Sequence, residues 1–365
     1  MEAERDLAGL VLPFAVGVAA IIYAESIFCR HSVSISSFTM LASAAGLTAL
    51  IHPLRKEHSA TIQVLLIALT SMAVGMLCAS TSLLTSPVAT DPFLFISKAG
   101  RGIEAAISRM EFNDRTTNAI IKALIIGDKS EIPSDIAATF RNSGASHILA
   151  LSGLHLGIIY GIVSKVSGIT GNSPAAVRTR SFITITLCGL YTLATGAGPS
   201  ITRAFLFIVF SEAARLTGRQ RKTGLVLLGA MLIQLTISPD SIRSAGFQLS
   251  YAAMAGIAFI FPWLNSFWPE EGGRWRPIRW IWTSAAMSIS CQLTTGPIAF
   301  IYFGTLPKYF LLTNLIAIPL TGIIIPTALA TLILSSCGIC PDILLRATEM
   351  LVQALSEALN IISSM

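Results

Sequence analysis

Charged residues are scarce in this sequence. Only 12% of the 365 residues are Asp, Glu, Lys or Arg, whereas 53% are hydrophobic. A soluble globular chain carries about 25% charged residues, and the hydrophobic residues here form long uninterrupted runs. The composition therefore excludes an ordinary soluble domain and indicates a protein that crosses a membrane several times.

Disulfide frameworks, metal-binding clusters and a removable leader are also lacking. The six cysteines lie scattered in apolar segments, without the spacing of a disulfide framework. No small-residue cleavage site closely follows the first apolar run, residues 7–28, so we interpret that run as a transmembrane helix. His147 and His155 have no nearby carboxylate or thiolate, which falls short of a usual metal site. We therefore expect neither a metal ion nor a cofactor.

The apolar runs predict an all-α polytopic membrane protein with about ten transmembrane helices. Pro297 falls inside the ninth run, and Pro319 and Pro326 fall inside the tenth. We expect some helices to be broken at these prolines, where they face protein or water. The predicted spans are residues 7–28, 34–52, 60–84, 147–166, 179–197, 200–216, 223–238, 244–262, 278–302 and 309–335.

The spans divide the chain into four segments: residues 1–84 with three N-terminal transmembrane helices, an external segment 85–145, a core 146–335, and a C-terminal amphipathic helix in 336–365. Two short amphipathic helices are predicted in the external segment, one ending at Gly127–Asp128 and the next starting at Ile132–Pro133. We expect these helices and the C-terminal one to lie at the membrane interface.

Basic residues predict the orientation of the chain in the membrane. With a cytoplasmic N-terminus, the short outside loops hold only Arg30, Arg243 and Lys308. Lys and Arg concentrate in cytoplasmic loops, so topology accounts for most of the formal net charge of +6, which is no sign of nucleic-acid binding. The inside loops hold thirteen basic residues, namely Arg5, Arg55, Lys56, Lys165, Arg178, Arg180, Arg215, Arg219, Arg221, Lys222, Arg274, Arg276 and Arg279.

Polar and small residues interrupt the fourth run, where residues 146–157 read S-H-I-L-A-L-S-G-L-H-L-G. At the helical spacing of 100° per residue, small residues fall on one narrow ridge and polar residues on the opposite side. A ridge of small residues lets a neighbouring membrane helix approach closely. The packing ridge consists of Ser146, Gly153, Gly157 and Gly161, and the polar side of His147, Ser152 and His155.

Later spans carry further polar groups. Arg203 opens the sixth span, Gln248 lies in the eighth and Gln292 in the ninth. An arginine at mid-membrane costs about 2.5–3.5 kcal/mol on insertion scales, so it normally faces a partner or water. Several polar stripes that converge are more simply explained by a hydrophilic path than by one buried pair. We therefore predict that these residues line a path, together with the polar side of the fourth span.

Six sequence blocks occur in the order GDKSEIP, FRNSGASHILALSGLHLG, GAGPSITRAF, AGFQLSYAAMAGI, CQLTTGPIAFIYFGTLP and LLTNLIAIPLTGIIIP. Together they resemble the competence domain of the ComEC/Rec2 family over about residues 117–335. The resemblance implies an inner-membrane channel that carries one strand of DNA into the cytoplasm. The positions that match the family's blocks are Ser146, His147, Ser152, Gly153, His155, Pro199, Arg203, Phe247, Gln248, Ser250, Gln292, Pro297, Asn314 and Pro319.

The sequence departs from the pattern of longer family members. Many of these carry an external oligonucleotide-binding barrel, for which the short polar linker 85–95 leaves no room. Many also end in a metallo-β-lactamase-like domain, but this chain has no H-x-H-x-D-H run. The resemblance then implies separate partner proteins: a DNA-binding receptor, a nuclease and a cytoplasmic motor.

Two other functions remain open at this stage. Ser152 and His155 could be the nucleophile and base of an intramembrane hydrolase, although no orienting third group or oxyanion donor is evident. A secondary transporter for a small solute would also suit broken helices and mid-membrane polar groups. Against the transporter, the sequence shows no inverted repeat, and Glu25 and Glu212 lie near the ends of their spans. We expect no catalytic residue.

Overall fold

The computed structural model describes residues 2–27, 60–84, 94–110, 112–171, 173–218, 222–268, 276–339 and 342–365. Every regular element within these ranges is helical, which confirms the all-α fold class. The α-helices are α1 (Glu2–Ile27), α2 (Ala60–Leu84), α3 (Leu94–Ser108), α4 (Arg115–Ile126), α5 (Ser134–Asn142), α6 (Gly153–Ser167), α7 (Pro174–Ala194), α8 (Pro199–Leu216), α9 (Thr223–Ile237), α10 (Ala245–Ala255), α11 (Phe261–Asn265), α12 (Arg276–Phe303), α13 (Phe310–Ser336) and α14 (Asp342–Ser363).

Four helical stretches in the described part of the chain are long and apolar enough to cross a membrane. They are Ala3–Glu25, Val64–Leu83, Ala245–Asn265 and Phe310–Ser336. Helices α6 and α9 are also apolar, but each has 15 residues and is therefore about 22 Å long. These helices fit a polytopic membrane protein. The total of about ten spans stays a prediction, and the second predicted span, 34–52, lies outside the described residues.

The predicted breaks at proline differ from the structure. Helix α12 continues through Pro297, and α13 continues through Pro319 and Pro326, because a proline removes one backbone hydrogen bond without ending a transmembrane helix. The departure from α-helix lies instead at a π-helical turn, Gly256–Ile260, between α10 and α11. A Cβ on Gly256 would overlap the Ser290 carbonyl of α12, so close packing accompanies this wide turn.

Contacts divide the chain into two compact units. The first unit comprises Met1–Asp91 and Gln220–Ala255, and the second comprises Pro92–Arg219 and Gly256–Met365. In the first unit, α1 and α2 cross so closely that a Cβ on Gly17 would overlap the Met72 carbonyl. A Cβ on Gly75 would likewise overlap the Phe14 carbonyl. The two glycines therefore let the two backbones touch, as small residues do between membrane helices.

The second unit is built around α4, which is buried along most of its length. Helices α13 and α14 pack against it, and Ile324 and Leu355 belong to the same apolar cluster as Ile120. The apolar faces of α4 and α14 therefore contact other helices. The placement of these helices at the membrane interface stays a prediction.

The predicted hinge between the two short helices is present. Gly127 ends α4 in the left-handed conformation, with φ of 80°, and α5 begins at Ser134 after Pro133. Asp128 accepts the Ser130 backbone N–H at 2.9 Å. Hydrogen bonds from the Ser130 backbone and hydroxyl hold the pKa of Asp128 below its usual range. The hinge is thus a defined turn.

Candidate functional site

Residues 143–152, which contain most of the polar motif, connect α5 to α6 as a series of turns. The first Ser-Gly pair ends α5: Gly144 has φ of 84° and lies tightly against Pro307, whose Cβ would be 2.6 Å from an added Cβ. The Ser143 carbonyl accepts the Thr313 hydroxyl at 2.6 Å. Ile148 is buried in the apolar cluster of the second unit. Tertiary contacts thus hold this connection in place.

The second Ser-Gly pair begins α6, and Ser152 is its N-cap residue. The Ser152 hydroxyl accepts the Leu154 backbone N–H at 3.3 Å. His155 Nδ1 accepts the Ser152 backbone N–H at 3.2 Å and lies 3.0 Å from Ser152 Oγ. This reciprocal arrangement is a capping box in which histidine takes the position usually held by Glu or Gln. Ser152 and His155 therefore satisfy the donors at the start of α6.

The predicted helical face of His147, Ser152 and His155 is wrong, because α6 begins only at Gly153. His147 lies in the preceding turn, where its exposed side chain has Nδ1 3.1 Å from the Gly144 carbonyl oxygen. His155 is fully buried. That these three residues line a path stays a prediction. In the structure they lie at or just before the N-terminus of α6.

The predicted packing ridge is also altered by the late start of α6. Ser146 is exposed in the turn before the helix. A Cβ on Gly153 would meet the Ala204 Cβ at 3.5 Å, whereas a Cβ on Gly157 or Gly161 would meet nothing within 4 Å among the described atoms. Gly153 thus faces a neighbouring helix in the structure, and a packing role for Gly157 and Gly161 stays a prediction.

Arg203 lies in the first turns of α8 and is only 3% exposed. Its Nη2 donates to the carbonyl and the hydroxyl of Ser200, at 3.2 Å each. Pro199 is in the first turn of α8, and the N-cap Gly198 has no side chain to cap the helix. The chain enters α8 through Ala197, a non-glycine residue with φ of 48°. A buried guanidinium therefore lies in the first turns of α8, whose N-terminus has no side-chain cap.

The N-termini of α6 and α8 lie side by side. Gly153 faces Ala204, and Leu156 and Ile201, one from the first turn of each helix, share an apolar cluster with Cys188 of α7. The N-terminus of a helix carries about half a positive charge. The capping box satisfies donors at the start of α6, whereas α8 has no side-chain cap. Two such ends together with Arg203 give this place a positive potential that suits an anionic group.

A family model described as Competence protein matches residues 124–365, more than half of the chain. The chain belongs to this family. The matched range of the Competence family model contains every residue of the polar motif, as well as Arg203, Gln248 and Gln292. No solved structure matches the chain.

Three curated proteins are similar to this chain in sequence. ComE operon protein 3 of Bacillus subtilis (strain 168) is 26% identical over 225 residues, which cover 60% of this chain and 27% of the relative. Competence protein ComA of Neisseria gonorrhoeae is 24% identical over 261 residues, covering 66% and 36%. The uncharacterized protein YcaI of Escherichia coli (strain K12) is 25% identical over 229 residues, covering 60% and 30%. The chain thus spans about a third of the length of these relatives.

The two glutamines of this Competence-family chain belong to different units. Gln248 Nε2 donates to the Tyr23 hydroxyl at 3.0 Å and to the Ile242 carbonyl at 2.9 Å, all within the first unit. Gln292 belongs to the second unit, on α12, where its Nε2 would lie 3.4 Å from a Cβ on Gly296. Gln248 therefore ties α10 to α1. Its predicted place beside Arg203 stays a prediction.

Sequence reasoning missed an ion pair on α8, between Glu212 and Arg215, that also contacts α6 and α7. Glu212 is fully buried and accepts the Tyr160 hydroxyl at 2.8 Å. Its other carboxylate oxygen pairs with Arg215, whose Nη2 also donates to the Ser181 hydroxyl at 3.0 Å. Their spacing of three residues on one helix was a sequence signal for an ion pair. Their burial depends on tertiary packing, which the spacing does not reveal.

Among the described residues, no group of three His, Cys, Asp or Glu side chains lies close enough to hold a metal ion. The candidate site offers hydrogen-bond donors, two helix N-termini and one buried cation, Arg203. Such groups bind and orient anions.

Proposed function

We propose that this protein provides an inner-membrane path for single-stranded DNA into the cytoplasm during natural transformation. The observation that supports the proposal is the pair of adjacent N-termini of α6 and α8, with the buried Arg203 donating to Ser200 in the first turn of α8, inside the range matched by the Competence family model. The polymer that must cross is a chain of phosphates, and this place suits an anion.

A path for a moving strand must bind it weakly. Transport without sequence preference requires a few donors for phosphates, and binding must stay loose enough for release. The candidate site offers one buried arginine, the exposed side chain of His147 and the two helix ends. This limited positive charge fits a conduit better than a high-affinity DNA-binding surface. The proposal includes a cytoplasmic N-terminus and no catalytic step in this chain.

The partners follow from the same proposal. We propose that a DNA-binding receptor, a nuclease that removes the other strand and a cytoplasmic motor are separate proteins of the uptake machinery. Deletion of this gene should leave those partners in place and block only the membrane crossing.

Transformation with labelled DNA tests this function. A strain deleted for the gene receives fluorescently labelled duplex DNA, and the label is scored as surface-bound, DNase-protected outside the inner membrane, or cytoplasmic. We expect protected label that does not reach the cytoplasm, and recovery on expression of the intact gene from a second locus. Normal cytoplasmic entry in the deletion strain would refute the proposed function.

The distance of 3.0 Å between Ser152 Oγ and His155 Nδ1 also permits the hydrolase alternative. In a Ser–His pair, the second imidazole nitrogen donates to a group that orients the ring. Here the hydrogen bond of the His155 ring to the Ile148 backbone involves no carboxylate, and Nδ1 already accepts a backbone N–H of the capping box. These contacts favour helix capping over catalysis.

A further inference from the structure

A cavity of about 440 Å³ lies at the ends of α7 and α8 that the positive-inside rule predicts to be cytoplasmic. Two of its lining residues are arginines and the other three are apolar, so the lining carries two positive charges and no negative one. The lining residues are Pro174, Val177, Arg178, Arg215 and Leu216.

One of the two guanidinium groups is fixed by a buried partner. Arg215 pairs with Glu212, which is fully buried, and a second hydrogen bond to Ser181 holds the same nitrogen. Separating a buried carboxylate from its partner is strongly unfavourable, so Arg215 keeps this position. The Arg215 side chain still remains 31% exposed, at the wall of the cavity.

The other guanidinium lies in the first turn of α7, at the head of an apolar stripe. Arg178 is exposed, and its Nε donates to the Pro174 carbonyl at 3.3 Å. Phe182 follows four residues later on the same side of the helix and is 71% exposed. Leu190 continues this apolar stripe about two turns further along α7 and about 80° around the helix from Phe182. A basic cavity thus lies directly beside a surface suited to hydrocarbon.

We propose that this cavity binds the headgroup of an anionic phospholipid, with its phosphodiester between Arg178 and Arg215 and an acyl chain along the apolar stripe of α7. The planar guanidinium fork matches phosphoryl oxygens, and basic pockets between membrane helices at the cytoplasmic side are typical lipid-headgroup sites. A DNA strand is a poorer fit, because strand-binding grooves provide aromatic platforms for bases and the cavity lining has none.

Native mass spectrometry of the full-length protein in a mild detergent tests the site. The protein is titrated with phosphatidylglycerol and, separately, with phosphatidylcholine of the same acyl chains. We expect tighter binding of phosphatidylglycerol, weakened about fivefold by Arg178→Gln, since a basic residue at the membrane surface contributes about 1 kcal/mol. Lys165→Gln is the matched control, because Lys165 is exposed at the same end of the bundle but does not line the cavity.

Three results would overturn the lipid site: equal affinity for the two lipids, equal weakening by Lys165→Gln, or displacement of phosphatidylglycerol by a short single-stranded oligonucleotide. The last result would assign the cavity to DNA. The measurement requires only a folded protein in detergent. Its outcome is therefore independent of whether the deletion strain still takes up DNA.

Discussion

At the scale of single residues, the side chains that look catalytic or pore-lining in the sequence also have structural partners. Ser152 and His155 cap α6, and Arg203 donates to Ser200. A hydrogen bond within the fold does not prevent a contact with a passing phosphate, because a guanidinium has five donors. Substitutions that preserve one role and remove the other are therefore the informative ones.

Substitutions of Ser152 distinguish a helix-capping role from a nucleophilic role. Ser152→Ala should destabilise the protein by about 1 kcal/mol, because alanine cannot accept the Leu154 N–H. Ser152→Asn should retain most of that stability and most DNA uptake, since asparagine is an equally good N-cap and cannot form an acyl-enzyme. Thermal unfolding in detergent and transformation frequency measure the two effects. A stable Ser152→Asn protein without any uptake would favour chemistry at the hydroxyl.

Substitutions of Arg203 distinguish a contact with phosphate from a role in helix packing. If it meets phosphates, Arg203→Lys should keep part of the uptake and Arg203→Gln should lose it, with both proteins at normal levels in the membrane. Arg141→Gln provides the control, because Arg141 is an exposed arginine on α5 and should leave uptake unchanged. Failure of both Arg203 variants to accumulate would show that the buried guanidinium is needed for folding, and the phosphate contact would lose its support.

At the scale of elements, the long apolar runs predicted α1, α2, α8, α9, α12 and α13 within a few residues. The start of α6 was not predictable in the same way. Ser-x-x-His is a weak capping signature, and residues 146–152 are as apolar as the helix that follows. What ends the helical path there is tertiary: Gly144 lies against Pro307, and Ser143 accepts Thr313. The hydrophobic periodicity of the sequence cannot predict contacts between residues so far apart in the chain.

The amphipathic segments show the same limit. An amphipathic helical pattern predicted α4, α5 and α14 correctly, but a hydrophobic face does not specify whether lipid or protein covers it. Glu349 of α14 provides the missing information in the structure. It accepts the Asn113 side chain at 3.1 Å and the Asp114 backbone N–H at 3.0 Å, which fixes α14 beside the start of α4.

The crossing of α1 and α2 gives a prediction about packing. Gly75→Ala should lower stability by about 1–3 kcal/mol, because the new methyl group would overlap the Phe14 carbonyl and overpacking has costs of this size. Gly9→Ala is the matched control, since its Cβ would meet nothing within 4 Å and alanine is the better helix former. Thermal unfolding of the two variants should therefore shift in opposite directions, and equal shifts would contradict the close crossing.

At the scale of the whole molecule, orientation is the property on which the DNA path and the lipid site both depend. The direction of transport proposed here requires α6 and α8 to begin at the outer side, because the strand enters from outside and meets the two N-termini first. The lipid site requires Arg178 and Arg215 at the opposite end. Both requirements follow from a single cytoplasmic N-terminus, so one topology measurement examines them together.

Single cysteines report that topology in a variant whose six natural cysteines are replaced. Thr217→Cys, at the exposed end of α8, should react with a membrane-impermeant maleimide only after the inner membrane is permeabilised. Thr217 is preferred to Gly218, whose φ of 64° strains any side chain. Ser134→Cys, exposed at the start of α5, should react in intact spheroplasts. The reverse pattern would place the N-terminus outside and would contradict the orientation predicted from the basic loops. The N-termini of α6 and α8 would then lie at the cytoplasmic side, where an incoming strand would meet them only as it left the membrane.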